Sequence, residues 1–131
     1  MQYKMIVPSN YTEGMKDEYL EWYAGQHFHD LLRIPGFKGA QFFKVTEAQQ
    51  TPQHSQVYSY YVIWDWETDD LQSVIDDVNE RIKDGRTVFS AAFNKNFHDV
   101  VVEPITKYVS SEEIKGMSVE EVLACSQLEK K

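Results

Sequence analysis

The segment formed by residues 57–66 is the feature of this sequence that most constrains its fold. Apolar and aromatic side chains occupy both alternating sets of positions in it: Tyr58, Tyr60, Val62, Trp64 and Trp66 in one set, and Val57, Ser59, Tyr61 and Ile63 in the other. Successive side chains of a strand point to opposite faces of a sheet, so both faces of this strand must be covered. Helices can cover one face, and something else has to cover the other.

The other segments predict a β-α-β-β-α-β order, the split βαβ arrangement of a ferredoxin-like α+β domain with an antiparallel sheet. The predicted strands are residues 3–7, 37–45, 57–66 and 98–108. The predicted helices are residues 13–33, a second one capped by Thr68 and ended by Asp84-Gly85, and a C-terminal one that begins with the capping-box pair Ser118 and Glu121. Residues 47–56 are a predicted loop, and residues 87–96 fit either a short helix or a loop.

The chain of 131 residues has the length of one domain. We expect residues 1–109 to form the ferredoxin-like domain and residues 110–131 to form a tail with a short amphipathic helix. Within residues 37–45, the alternation places Phe37, Gly39, Gln41 and Phe43 on the same side of the predicted strand.

Charge and cysteine content restrict the partners and the compartment. The net charge is −8 and the basic residues do not cluster, which argues against nucleic acid and against an anionic membrane surface. Cys125 is the only cysteine, so an intrachain disulfide is excluded and a reducing compartment is favoured. With no signal-peptide pattern at the N-terminus and no run of roughly 20 apolar residues, we expect a cytoplasmic protein without a membrane span.

Residues 18–43 carry a set of motifs at a recognisable spacing. The motifs are Trp22-Tyr23, His27, Asp30, Leu31-Leu32, Pro35-Gly36-Phe37 and Ala40-Gln41-Phe42. With these motifs the stretch resembles the EthD-like branch of the dimeric α/β-barrel superfamily. It departs from the usual pattern at His29, where proline is frequent, and at Gln41, where arginine is frequent; the second change removes a fixed cation from the strand.

The resemblance implies a homodimer in which two protomers place their sheets face to face. The partner would then cover the second apolar face of residues 57–66, through an isologous interface. Members of the superfamily include cofactor-free monooxygenases, lactone isomerases, polyketide cyclases and haem enzymes, so the fold alone sets no chemistry.

His27 is the first candidate for a catalytic group, because a histidine can take or give a proton near neutral pH. Asp30 lies three residues further on and could orient the ring, while Tyr23 and Tyr60 could donate hydrogen bonds to a developing enolate oxygen. The alternative is a buried structural histidine that bonds a backbone carbonyl.

The aromatic content of 14% favours a cavity for a planar small molecule. Taken singly, each ring is better explained by core or dimer packing. As a group they favour a cavity, because each buried phenol needs a hydrogen-bond partner. The predicted lining residues are Tyr19, Trp22, Gln41, Tyr58 and Trp64.

No metal or cofactor is predicted. His27 and His29 are two residues apart, about 200° around a helix, so they cannot share one metal ion there. His54 and His98 could complete a site only if the fold brought them together, and the same histidines are the available haem ligands. There is no Gly-rich phosphate loop, no G-x-S-x-G and no C-x-x-C.

Two functions fit these features. The first is a small cofactor-independent enzyme that acts by proton transfer on a cyclic or aromatic molecule, of isomerase, cyclase, decarboxylase or monooxygenase type. The second is a non-catalytic dimeric protein that binds a small ligand or has a structural role. A titratable group that reaches into a cavity would distinguish the first from the second.

Overall fold

The computed structural model describes residues 1–51 and 57–130 and confirms the predicted α+β, ferredoxin-like order of elements. The first helix has three consecutive parts, which are α1, a π-helical turn and α2. The elements are β1 (Gln2–Ser9), α1 (Lys16–Trp22), the π turn (Tyr23–His27), α2 (Phe28–Leu31), β2 (Phe37–Lys44), β3 (Tyr60–Glu67), α3 (Leu71–Lys83), β4 (Val100–Val102) and α4 (Val119–Ser126).

The sheet has the strand order β2-β3-β1-β4 and is antiparallel throughout. In the central strand β3, the side chains of Tyr60, Val62, Trp64 and Trp66 are all buried on the side that the helices cover. Val7 of β1 and Val74 of α3 belong to the same core. The helical side of the sheet therefore holds the core, and this core is unusually rich in aromatic rings.

The opposite side of the sheet is partly apolar and also carries the polar side chains of Lys4, Gln41 and Asp65. The register places Ile6 beside Ile63, Phe43 beside Tyr61, and Val100 and Val102 beside β1 on this side. Phe43 is 40% exposed and Val100 is 50% exposed, while Ile6, Tyr61 and Ile63 are only half-buried. We call these six residues the open face: Ile6, Phe43, Tyr61, Ile63, Val100 and Val102.

The alternation predicted for β2 is wrong at its first residue. An irregularity in the ladder between Phe37 and Gly39 places Phe37 opposite Trp66, on the helical side, together with Ala40 and Phe42. Phe37 is buried there, with its ring centroid 5.1 Å from that of Trp66. An extra residue in one strand reverses the side to which the preceding side chains point.

Several predicted boundaries are also corrected. Strand β3 begins at Tyr60 rather than Val57, and β4 is limited to three residues within the predicted span of residues 98–108. Asp70, not Thr68, caps α3, because its carboxylate accepts a hydrogen bond from the Ser73 amide. Residues 87–96 form neither helix nor strand apart from an isolated bridge between Tyr11 and Phe93. The predicted loop at residues 47–56 lies partly outside the described residues.

The capping box predicted for the C-terminal helix is confirmed. The Ser118 side chain accepts from the Glu121 amide, and the Glu121 side chain accepts from the Ser118 amide, so α4 begins where the sequence pattern indicates. Among the described residues, no helix is both long enough and apolar enough to cross a membrane.

Candidate functional site

The π turn aligns the aromatic and titratable residues of the first helix with β3. Tyr19, Tyr23, His27 and Leu31 are spaced by four residues, and all four are buried. In a regular α-helix, positions four apart drift by about 40° at each step around the axis. The wider π turn over Tyr23–His27 offsets part of this drift and keeps all four side chains toward the sheet.

His27 lies in a cluster of aromatic rings, which we call the aromatic cluster: Trp22, Tyr23, Trp64 and Phe89. Its ring stacks on Trp22 with the centroids 4.6 Å apart and meets Tyr23 at 5.0 Å, Phe89 at 5.5 Å and Trp64 at 5.6 Å. The side chain is only 6% exposed, and its Nδ1 atom has no hydrogen-bond partner among the described residues.

This environment favours the neutral imidazole. Burial lowers the pKa of His27 from 6.5 to about 4, although the nearby Asp30 carboxylate acts in the opposite direction. The ring is therefore uncharged at neutral pH and can accept a proton at one nitrogen. An unpartnered buried polar atom such as Nδ1 calls for an explanation, since most such atoms in native proteins are paired.

Asp30 is close to His27 in sequence but has a different set of hydrogen-bond partners. Its carboxylate accepts bonds from the Val88 amide at 2.9 Å, from Gln26 Nε2 at 2.9 and 3.0 Å, and from His29 Nδ1 at 3.0 Å. Burial disfavours its charge, but these hydrogen bonds outweigh burial and hold the pKa of Asp30 below its ordinary value. The geometry makes Asp30 an anchor for the segment around Val88; no hydrogen bond joins it to the His27 ring.

The segment after α3 covers the aromatic cluster, and both backbone groups of Val88 are held by the first helix. Trp22 Nε1 donates to the Val88 carbonyl at 2.9 Å, while Asp30 accepts from the Val88 amide. A second attachment joins Thr12 to the carbonyl groups of Ala91 and Ala92, each at 2.7 Å. Residues 87–93 are therefore fixed over one edge of the space between helix and sheet.

Phe89 and Phe93 are site residues that the sequence analysis did not select. The Phe93 ring centroid lies 5.4 Å from that of Trp22, and the partly exposed Phe89 ring contacts both Trp22 and His27. Their spacing of four residues resembled a short helix, and only the long-range hydrogen bonds of Val88 show where the segment lies.

Two buried tyrosines of the first helix, Tyr19 and Tyr23, keep their protons. The Tyr19 hydroxyl lies 2.6 Å from the Ser9 hydroxyl, and burial raises the pKa of Tyr19 to about 12. Burial raises the pKa of Tyr23 still further, with the neighbouring Tyr19 acting in the same direction. The Tyr60 ring is buried with its centroid 5.2 Å from that of Tyr19. Phenols that stay protonated can donate hydrogen bonds to a substrate oxygen.

Two of the predicted lining residues lie elsewhere. Gln41 is exposed, and the register places it on the side of the open face, opposite Ile63. Tyr58 lies before β3 and contacts the ring of His98, with the centroids 5.5 Å apart. The structure thus brings together Tyr19, Trp22, Tyr23, His27, Tyr60 and Trp64, and places Gln41 and Tyr58 apart from them.

A cleft of about 760 Å³ lies on the other side of the molecule, at one end of the sheet. Lys4, Asp65 and Val102 form its sheet wall, and Thr106 and Tyr108 form part of the opposite wall. His27 is not among its lining residues. In the described part of the chain, no group of three or more His, Cys, Asp or Glu residues is placed to hold a metal ion. His54 lies outside the described residues.

Comparison with solved structures identifies proteins of the same fold. An EthD family protein from Bacillus halodurans aligns with a TM-score of 0.54 and 17% identity, over 79% of this chain and 99% of its own. An uncharacterised NIPSNAP domain protein from Burkholderia xenovorans gives a TM-score of 0.53 and 16% identity, over 84% and 100% of the chains. A dimeric ferredoxin-like protein of unknown function from Jannaschia gives 0.51 and 18%, over 79% and 100%.

Comparison with protein-family models and with curated proteins gives no match. At these identities the structural likeness establishes the fold and not the reaction. It agrees with the motif set at residues 18–43. The chain has the ferredoxin-like fold that is also found in an EthD family protein, a NIPSNAP domain protein and a dimeric ferredoxin-like protein.

Proposed function

We propose that this chain is a small enzyme, independent of a cofactor, in which His27 accepts a proton from a cyclic or aromatic small molecule. The observation that carries the proposal is the buried His27 ring, which is neutral at physiological pH and presents an unpartnered Nδ1 within the aromatic cluster. A neutral imidazole is a proton acceptor, so His27 acts as the general base rather than as the acid.

The surroundings of His27 would support the charge that develops on proton transfer. The imidazolium would be stabilised by the Asp30 carboxylate, whose charge raises the pKa of His27, and by the face of Trp22, because cations bind well over an indole ring. The Tyr23 hydroxyl, which keeps its proton, is a donor suited to an enolate or phenolate oxygen, and the Tyr60 hydroxyl further along the core is a second candidate donor.

The rings around His27 support a planar substrate class. Trp22, Tyr23, Trp64 and Phe89 offer ring faces and edges at stacking distances from His27, which suits a planar cyclic molecule. Phe89 is 44% exposed, so it lies at the solvent side of the cluster, and a substrate would enter beside it.

We also infer that the chain forms a homodimer through the open face. The supporting observations are the half-buried or exposed apolar side chains of Ile6, Ile63 and Val100 on one continuous surface and a dimeric protein among those of the same fold. A contiguous apolar surface of this kind typically marks an interface between proteins. The predicted cytoplasmic location and the absence of nucleic-acid partners stay predictions.

A non-catalytic role is the second candidate, and the density of the aromatic core favours it. Tyr19 and Trp64 are fully buried, and the Tyr19 hydroxyl already has a partner in Ser9. In that case the aromatic cluster would be core packing around a structural histidine, and the protein would bind a ligand or assemble without chemistry.

Solvent exchange separates the two candidates without knowledge of the natural substrate. The probe is a bicyclic aryl ketone in D₂O, and the signal is the rate of deuterium uptake at the carbon next to its carbonyl, measured by NMR. We expect the wild-type protein to accelerate uptake and His27→Gln to reduce that acceleration about 100-fold or more, the usual contribution of a general base.

The matched control is His98→Gln, which removes an exposed histidine far along the chain and should keep the wild-type rate. Circular dichroism and native mass must show that His27→Gln is folded. Equal rates for His27→Gln and the wild type, or loss of the fold on this substitution, would favour the structural role.

A further inference from the structure

We propose that residues 88–91 form a flap over His27 that opens to admit the substrate, with the Phe89 ring as the part that closes the entrance. The inference rests on the proposed function, because it supplies the route by which a small molecule reaches His27. The structure shows the flap in its closed position.

The entrance lies on the Phe89 side of the aromatic cluster. Trp22, Tyr23 and Trp64 belong to the first helix and to β3, and all three are buried. Phe89 is the partly exposed ring of the cluster, and it comes from a segment without helix or strand. Because the His27 side chain is itself buried, a substrate reaches its ring only after part of this cover has moved.

Side chains hold the flap in place. Asp30 accepts a hydrogen bond from the Val88 amide at 2.9 Å, and Trp22 Nε1 donates to the Val88 carbonyl at 2.9 Å. The Thr12 hydroxyl donates to the Ala91 carbonyl at 2.7 Å. Among the described residues, every hydrogen bond that ties residues 88–91 to another element involves a side chain. Water can replace such partners when the flap lifts, so opening costs far less than unfolding the sheet.

Both ends of the flap are fixed. Thr87 is buried, and its amide donates to the Arg81 carbonyl at 3.0 Å. Ala92 is also buried, and its carbonyl accepts from the Thr12 amide at 2.7 Å. The four residues between these points can therefore move as a local unit while the core remains folded.

Trp22 links the flap to His27. Its ring stacks on the His27 ring with the centroids 4.6 Å apart, while its indole N–H holds the Val88 carbonyl. The closed flap thus fixes the ring that packs on His27 and keeps water away from the imidazole. Exclusion of water strengthens the electrostatic interactions within a site, and closing segments of this kind commonly have that role in enzymes.

The test measures how fast diethyl pyrocarbonate modifies His27 in the full chain, with the sites located by mass spectrometry of peptides. The exposed His98 reacts in the same sample and serves as the internal reference. We expect His27 to react much more slowly than His98 in the wild type. Asp30→Ala removes the acceptor of the Val88 amide and should raise the His27 rate about tenfold, as expected for the loss of one charged hydrogen bond.

Phe89→Ala should also raise the His27 rate, because it removes the ring that closes the entrance and leaves the bonds to Val88 intact. The matched control is Phe97→Ala, which removes a ring of similar exposure that contacts Phe93 and should keep the wild-type rate. A wild-type His27 that reacts as fast as His98 would overturn the inference. So would Asp30→Ala and Phe89→Ala proteins that react at the wild-type rate.

Hydrogen exchange of the wild type gives a measurement that needs no variant. We expect the Val88 amide to exchange faster than the amides of β3; equal rates would mean that His27 is reached through global unfolding and would overturn the flap. None of these measurements requires turnover. A flap that opens in a protein without deuterium-exchange activity would therefore contradict the role of His27 as a base and leave the flap in place.

Discussion

Burial sets the pKa of His27. Its ring is 6% exposed and surrounded by aromatic side chains, and the cost of placing a charge there lowers the pKa to about 4 in spite of the Asp30 carboxylate. A base with so low a pKa is intrinsically weak, and it becomes effective only when the substrate brings negative charge or a strongly acidic proton to it. The low pKa thus argues for substrates that form stabilised anions, such as enols and phenols.

Asp30 should stabilise the fold rather than orient His27. Asp30→Ala leaves the Val88 amide without its acceptor, and we expect a loss of about 1–3 kcal/mol in the free energy of unfolding. The pKa of Asp30 is lowered on folding. Its carboxylate therefore contributes to the free energy of unfolding at pH values above the ordinary pKa of 3.8, and this contribution is lost as the pH falls through the lower pKa of the folded state.

Urea unfolding of the wild type and Asp30→Ala from neutral pH down to about pH 3 measures both effects. The difference between the two proteins should be largest near neutral pH and should shrink at the acidic end. A difference that is independent of pH, or a variant as stable as the wild type, would contradict the anchoring role.

The sequence was sufficient to select His27 as a candidate base, but it did not indicate the role of Asp30. Tyr19, Tyr23 and His27 are four residues apart in turn, and in the structure Tyr23 and His27 both contact Trp64, while Tyr19 contacts Tyr23. The principal partner of Asp30 is a backbone amide at Val88, far along the chain, in a segment with no regular secondary structure. Periodicity gives no information about such a contact, because it describes only residues within one element.

The π turn is the element that distinguishes the first helix. It lies between α1 and α2, contains Gly25 and ends at His27, so the residue proposed as the base is located at the irregular turn. Such turns cost stability and occur frequently at functional sites. A regular helix would rotate the later side chains progressively away from those at its start.

Substitutions at two glycines test the backbone conformation of the π turn, which contains Gly25, and of the turn before β2, which contains Gly36. A Cβ at Gly25 meets nothing within 4 Å, and Gly25 is not among the glycines with positive φ, so Gly25→Ala should stabilise the protein by about 0.5–1 kcal/mol. At Gly36, φ is +101° and a Cβ would lie 2.9 Å from Val74 Cγ2, so Gly36→Ala should destabilise it. Thermal unfolding of both variants checks the signs, and the same sign for both would contradict the geometry.

Elements were predicted better than their ends. The end of α3 at Asp84-Gly85 and the capping box of α4 depend on neighbouring residues, and both were recognised from the sequence. The side to which Phe37 points depends on an irregularity in its pairing with β3, and the cap of α3 on a choice between Thr68 and Asp70. Pairing and capping geometry are set by the tertiary structure, so the sequence could not determine them.

At the scale of the whole molecule, the two faces of the sheet have different roles. The helical side buries the aromatic cluster and His27, and the open face is apolar without cover from its own helices. This arrangement accounts for the two apolar sides of β3 that were apparent in the sequence. The division of the chain at residue 109 stays a prediction.

A charge in the middle of the open face should prevent self-association. Ile63 lies in the central strand and pairs with Ile6, so Ile63→Glu would place a carboxylate within the proposed interface. We expect native mass spectrometry to show a dimer for the wild type and a monomer for Ile63→Glu. The control Asn79→Glu adds the same charge on the exposed side of α3 and should remain dimeric; a monomeric wild type would contradict the proposal.

The protonation state of His27 tests the central claim most directly, because the proposed chemistry requires a neutral buried ring. The measurement is the ¹⁵N chemical shifts of its two ring nitrogens over a pH titration, assigned by comparison with His27→Gln. We predict a single neutral form from about pH 8 down to about pH 5.5, with protonation only toward the pKa of about 4. Titration near 6.5 would show an exposed, ordinary histidine and would contradict the account.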